Sequence, residues 1–304
     1  MASLIPSGPP ISIPADVLDL LRRIFSGGND EIAGALSRNP MTREDALDQM
    51  FISYLDRQAP ESTAPSGWIV DVETHFLGSG HHLHTWEIAD IGVLIILRQG
   101  STVMWSKVAV LQSKRLFPLK AVHDPDAERA RLRWGFGRLH ESYDPLAGKR
   151  VFEFTPDSRY QSLDLAAPQS ERIDAYQGEF TVPVHYMLYN PVAIPWTRTL
   201  PAPPPKLPHN NVGCRIARSD QIRALRSHGV SVPSYGDIAA IVSPHSYAPF
   251  NAGWRLEDFI VSLLLGCHEG KVLTRSLDDV MELLFYRRTG PIAAAFAVNI
   301  EMVG

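Results

Sequence analysis

Two stretches hold the residue types whose spacing supports chemistry. The first is Trp86-Glu-Ile-Ala-Asp90-Ile-Gly-Val-Leu-Ile-Ile-Leu-Arg98; the second, after a short turn, is Val108-Ala-Val-Leu-Gln112-Ser-Lys114. An aspartate carboxylate and a glutamine side-chain oxygen are hard ligands suited to Mg²⁺ (Mn²⁺ being a close substitute), which keeps several waters and binds phosphate oxygens. A nearby lysine can orient or deprotonate one of those waters, or neutralise charge as a phosphodiester is attacked. Asp90, Gln112 and Lys114 together therefore have the composition of a metal-dependent phosphodiester-hydrolysing site.

Such a trio works only if rigid elements hold it. Ile91 to Leu97 and Val103 to Leu111 are apolar, β-branched runs, as in strands buried on both faces, and Gln99-Gly100-Ser101 reads as a tight turn between them. Antiparallel pairing about that turn sets Asp90 opposite a residue between Val110 and Gln112. Alternation along the second strand puts Gln112 and Lys114 on one face and Ser113 on the other. Upstream, Pro14 to Phe25 is amphipathic at helical spacing and is expected to end at Gly27-Gly28. A second helix is expected after Thr42, with Asp45 in the reciprocal capping position and Ala46, Leu47, Met50, Phe51, Tyr54 and Leu55 on its apolar face. From Trp68 the period changes to two, giving a strand through Phe76. Ala127 to Glu141 reads as a helix, and Val151 to Phe154 and Val182 to Tyr189 as strands.

The placement of Asp90 before one hydrophobic strand, and of Gln112-Ser-Lys114 at the end of the next, resembles the PD-(D/E)xK nuclease superfamily. The likeness is to its Mrr-like variant, in which Gln replaces the acid of the ExK half-motif, and it extends over roughly Thr42 to Tyr189. It implies an α/β fold, a restriction-endonuclease-like mixed sheet flanked by helices. It also implies an Mg²⁺-dependent endonuclease acting on nucleic acid, DNA before RNA, with a role in bacterial defence against phage as a homodimer or a subunit of a larger defence complex. In that family a glutamate from the first helix often completes the metal site. Glu44 is the best match by position and Glu73, on the first strand, the second. The sequence departs from the family in lacking the proline before Asp90 and in the neutral Gln112, which removes one negative charge that Glu44 or Asp45 would have to replace.

The remaining organisation follows from proline. The densest cluster, Pro195 to Pro208, is expected to be a polyproline-like strap. The resulting division is a 1–40 helical extension, a 41–194 nuclease-like domain, the 195–208 strap and a mainly helical 209–304 region. In that last region, helices are expected at Gln221 to Ser227, Tyr235 to Val242, Leu256 to His268 and Leu277 to Arg288, ahead of an Ala/Val-rich stretch from Ile292 to Val298.

Composition sets the outer limits. At 304 residues, 45% hydrophobic and 20% charged, the chain can bury a sizeable core and is not mostly disordered. Its two cysteines, Cys214 and Cys267, exclude a disulfide framework. No apolar run is long enough for a membrane span, and the N-terminus lacks the basic start of a signal peptide, so a cytoplasmic protein with no membrane partner is expected. The net charge of −4 hides a basic stretch: between Lys107 and Arg150 stand ten Lys and Arg against five acids. Arg115, Arg129, Arg133 and Arg138 are the candidate phosphate-backbone contacts there, with Trp134 beside them. His75, His81, His82 and His84 form a loop group without partners for zinc, and Gly266-Cys-His-Glu-Gly270-Lys271 reads as a helix stop. Tyr186 to Pro191 with Trp196 reads as core packing. A different class stays open: a non-catalytic nucleic-acid-binding or adaptor subunit that keeps the fold and the basic patch, as the neutral Gln112 would allow.

Overall fold

The apolar hairpin is the centre of the fold. In the computed structural model, which describes residues 9, 11–58, 62–76, 89–123, 150–200, 202–242, 252–273 and 292–302, the chain is mixed α/β. Strands β1 (Ser62–Thr63), β2 (Ile69–Phe76), β3 (Ile91–Gln99) and β4 (Thr102–Arg115) are joined in one large mixed sheet by β7 (Val184–Tyr189), β9 (Cys214–Arg218), β10 (Trp254–Arg255), β11 (Lys271–Leu273) and β12 (Ala294–Met302). The order is β1-β2-β12-β3-β4-β7-β9-β10, with β11 also on β4. β5 (Lys120–His123), β6 (Arg150–Phe154) and β8 (Trp196–Leu200) form a second, three-stranded sheet.

Helices cover both faces of the large sheet. On one face lie α1 (Ala15–Arg38), α2 (Glu44–Asp56) and a helical segment that starts as α-helix at Leu256–Asp258 and continues as π-helix at Phe259–Leu264. They pack Leu21, Phe25, Phe51 and Phe259 against Ala109, Leu111 and Phe296. On the other lie α3 (Pro168–Phe180), α4 (Ser219–Ala224), α5 (Tyr235–Val242) and the small sheet, packed on Val108, Val110, Val184 and Ala217. Period-two alternation in β4 thus divides its side chains between two cores, which is why the strand reads as continuously apolar.

Several sequence expectations change in the fold. α1 does not stop at Gly27-Gly28. These glycines face α2, where a Cβ on Gly27 would lie 1.9 Å from the Tyr54 hydroxyl and one on Gly28 2.9 Å from the Phe51 ring. They are present for close helix packing, not as a stop. Thr42 does not cap α2; its hydroxyl donates to the Asn39 carbonyl, and Arg43 takes the cap position with no side-chain bond. The strap begins as β8. Beyond it, the described part of the expected mainly helical region contributes four strands, β9 to β12, to the large sheet. The last of these, β12, inserts between β2 and β3, antiparallel to one and parallel to the other. Its Ala, Val, Phe and Ile residues suit a strand covered on both faces. α3 has no counterpart among the expected elements, and the helices expected at Ala127 to Glu141 and Leu277 to Arg288 lie outside the described residues.

Candidate active site

β3 and β4 meet through a two-residue loop, Gly100-Ser101, in which Gly100 has φ +57°. Positive φ at the first loop position is the condition that glycine satisfies in a type II′ hairpin. Gln99 then pairs with Thr102 and Arg98 with Val103, but Leu97 pairs with Trp105. Met104 is the extra residue of a bulge. Beyond it the register runs to Ile91 opposite Leu111, so the next position sets Asp90 opposite Gln112.

The side chains are joined there. Gln112 Nε2 donates to Asp90 Oδ2, which also accepts the Ser113 backbone N–H at 2.7 Å. Gln112 is 3% exposed, and its Oε1 accepts from Nε2 of Gln169, in the first turn of α3, at 3.0 Å. Lys114 follows two residues on, sharing the face of Gln112 and 5% exposed.

On the opposite face of β4 the α2 helix runs alongside the strand end. Ser113 Oγ donates to Asp48 Oδ1 at 2.6 Å, and the Tyr189 hydroxyl donates to the same oxygen. One helical turn earlier, Glu44 Oε1 accepts the Arg115 backbone N–H at 2.8 Å and the Ser162 hydroxyl. Four helical residues rise about 6 Å and two strand residues about 6.6 Å. Asp48 over Ser113 and Glu44 over Arg115 are therefore in step.

Asp48 and Asp90 are brought together around one residue, Ser113, the first through its hydroxyl and the second through its amide. Burial pushes the Asp48 carboxyl well above the usual aspartate range; the charge of Asp90, and more weakly that of Glu44, pushes the same way, against the hydrogen bonds from Ser113 and Tyr189. Burial likewise pushes the Tyr189 phenol up, with Asp48 adding to it. Hard oxygens from Asp48 and Asp90, with an amide oxygen at Gln112, are the donor types a divalent magnesium-like ion takes. Among the described residues, no cluster of three or more His, Cys, Asp or Glu is arranged to hold a metal ion. The Gln112 oxygen is turned toward Gln169, and Glu44 is engaged by Arg115 and Ser162.

Placement of the other candidates is mixed. Glu44 lies at this strand end but one turn from Asp48, which is the α2 acid nearest in role to the expected third contributor. Asp45 is exposed and pairs with Arg43 at 3.2 Å. Glu73 lies in β2, where it accepts from Asn299 of β12 at 2.9 Å; β12 separates it from β3. Arg115, expected on a phosphate backbone, is 2% exposed. Its Nη1 donates to the Thr42 carbonyl at 2.6 Å and its guanidinium lies 3.9 Å from the Phe117 ring centroid. Desolvation lowers its pKa to about 10, against the raising influence of Glu44. Arg129, Arg133 and Arg138, with Trp134, lie outside the described residues, as do His81, His82 and His84. His75 is exposed beside Glu73. Tyr186 is buried in the core that packs on α3, and burial raises its phenol to about 12.

From the sequence, Ser113 is placed only on the face opposite Gln112 and Lys114, and Tyr189 only in core packing; neither Asp48 nor Gln169 is singled out. One signal was present for Asp48: it is four residues from Glu44 and in line with Phe51 and Leu55 of the buried helix face, an acid where an apolar residue is the norm. No protein-family model, curated protein or solved structure matches the chain. Among the described residues, no helix is long and apolar enough to cross a membrane.

Proposed function

We propose that this chain is a metal-dependent endonuclease of restriction-endonuclease-like architecture, hydrolysing phosphodiester bonds of DNA in preference to RNA and serving in bacterial defence against phage. One observation carries the reading: Asp90 faces Gln112 at the end of two buried strands, with the Asp48 carboxyl sharing Ser113 and Lys114 two residues beyond. Asp90 and Asp48 would hold Mg²⁺ or Mn²⁺ together with Gln112 Oε1, leaving Glu44 to fix the strand end. Bound there, the ion would supply a Lewis acid and a water acidified toward neutral pH. Asp90 is oriented by the Ser113 amide and Asp48 by two hydroxyls, so both carboxylates are set before any ligand arrives. Lys114, held by a strand buried on both faces, would orient the attacking water, and its charge would offset that building on the phosphoryl oxygens. A homodimer supplies two such sites for two strands.

The test is direct. Purified protein is incubated with plasmid, linear duplex, single-stranded DNA and RNA, in Mg²⁺, Mn²⁺ or EDTA, beside Asp90→Ala and Lys114→Ala. Cleavage that requires metal and is lost in both variants is expected. Cleavage that ignores EDTA or survives both substitutions overturns the reading. Nucleic-acid binding without cleavage under any metal favours the non-catalytic subunit, for which the direct Gln112–Asp90 bond is the structural basis.

A further inference from the structure

Gln112 and Gln169 are two primary amides facing each other at 3.0 Å across the β4–α3 boundary. This pairing has a property that a one-ended donor or acceptor at either position would lack. An amide presents a donor at one end and an acceptor at the other, so rotating both by half a turn preserves the hydrogen bond between them and exchanges the ends they present elsewhere. In the arrangement seen, Gln169 donates to Gln112 Oε1, and the Gln112 NH₂ is thereby directed at Asp90 Oδ2. The amide acts as a neutral cap that gives the carboxylate the donor a cation would otherwise replace. In the rotated arrangement Gln112 donates to Gln169, and Oε1 faces the Asp90 carboxylate as a ligand.

We propose that Gln169 is a positioning residue whose amide sets the orientation of Gln112, so that the site has a latched state, with Asp90 capped by NH₂, and a cation-ready state, with the oxygen presented. The inference rests on the metal-site reading above and deepens it by assigning how entry of the ion is controlled. Gln169 lies in the first turn of α3, directly after Pro168, so any displacement of that helix start is transmitted to Gln112. Buried Gln112 is enclosed between Asp90 and Gln169, which leaves it two hydrogen-bonding orientations.

Gln169→Glu leaves only an acceptor, which selects the cation-ready amide; Gln169→Lys leaves only a donor, which selects the latched one. Because each also changes charge, the effect is read as a double-mutant cycle with Gln112→Ala, where no amide remains to be turned. The measurement is the Mn²⁺ dissociation constant by titration calorimetry on the full chain without nucleic acid, with Tm in EDTA reporting whether each variant is folded. The expected result is that Gln169→Glu tightens Mn²⁺ about tenfold and Gln169→Lys weakens it similarly, the scale of one charge-assisted hydrogen bond. In the Gln112→Ala background both effects should shrink to about threefold or less. Mn²⁺ binding by Gln169→Glu alone supports the proposal when it is lost in the Gln112→Ala background and overturns it when it persists there. Equal factors in the two backgrounds reduce the effect to charge and overturn it, as does wild-type Mn²⁺ affinity in folded Gln169→Glu and Gln169→Lys. Absence of binding in wild type and every folded variant removes the metal site itself, a separate outcome from binding that is indifferent to residue 169.

Discussion

Asp90 lies opposite Gln112 because β4 carries one residue more than β3 between the turn and the site. From the turn to Arg98 the two strands are in simple register; past Met104 they are offset by one. Without the extra residue Asp90 would stand opposite Leu111, which belongs to the core under α1 and α2. A one-residue slip in a strand exchanges its faces, so the bulge decides whether the acid meets the amide or the apolar core.

Deleting Met104 tests this relationship. Met104 is exposed, so little packing is lost with it. The pairing of β4 with β7 from Val110 to Arg115 holds the far half of the strand in place. The deletion is expected to abolish metal-dependent cleavage, by about 100-fold or more on the scale of a misplaced catalytic group, while the folded state persists in circular dichroism. Wild-type cleavage by the deletion variant would show that the register is not what sets the site.

In the proposed site Asp48 would set stability against ion binding. Its carboxyl is raised in the fold by burial and by Asp90, so the folded state holds a proton that the unfolded state has released. Without metal, stability therefore falls as pH rises through the window between the ordinary value of 3.8 and the raised folded value. Asp48→Asn keeps an oxygen for Ser113 and Tyr189 and removes the ionisation. In EDTA at neutral pH the variant is expected to be more stable than wild type to urea, and that fall with pH should be absent. In Mn²⁺ the order should reverse, since a ligand charge has gone. A variant less stable than wild type in EDTA at neutral pH would contradict the assignment.

How much of this was legible in the sequence depends on the range of the interaction concerned. The hairpin, its Gly100-Ser101 turn and the meeting of Asp90 with Gln112 are local, written in β-branched runs and a glycine. The bulge at Met104 carries no residue signature. Neither does the insertion of β12 between β2 and β3, since pairing partners more than two hundred residues apart are chosen by the whole sheet. Asp48 was hidden because its environment is made by Ser113 and Tyr189, far along the chain. α3 was missed because Gln, Ser, Glu, Arg, Asp, Gln and Gly dilute its apolar face. Gly27-Gly28 was misread because a helix stop and a close helix crossing use the same residue for different reasons.

That last ambiguity has a measurable form. Gly27→Ala places a Cβ 1.9 Å from the Tyr54 hydroxyl, whereas a Cβ on Gly178, inside α3, meets nothing within 4 Å. Gly27→Ala is expected to destabilise by about 1–3 kcal/mol through overpacking. Gly178→Ala should stabilise by about 0.5–1 kcal/mol, because alanine loses less backbone entropy on entering a helix. Tyr54→Phe in the Gly27→Ala background should restore part of the loss, as a ring carbon remains at 2.7 Å. Equal stabilities for the two glycine variants in urea melts would mean that α1 and α2 do not meet at Gly27.

Arg115 separates a basic residue that reads nucleic acid from one that holds the fold. Its guanidinium is buried, donates to the Thr42 carbonyl ahead of α2 and lies over Phe117, while Glu44 of α2 accepts its backbone N–H. The residue thus fixes the α2 start on which the Asp48 position depends. Arg115→Met keeps apolar volume but leaves the Thr42 carbonyl without its donor, an expected loss of about 1–3 kcal/mol. A phosphate contact behaves differently: removing one reduces the slope of log affinity against log salt by about 1. The expectation for Arg115→Met is a lower Tm with the salt slope of DNA binding unchanged. A shallower slope at wild-type Tm would return Arg115 to the nucleic-acid surface and require its side chain to leave the strand end.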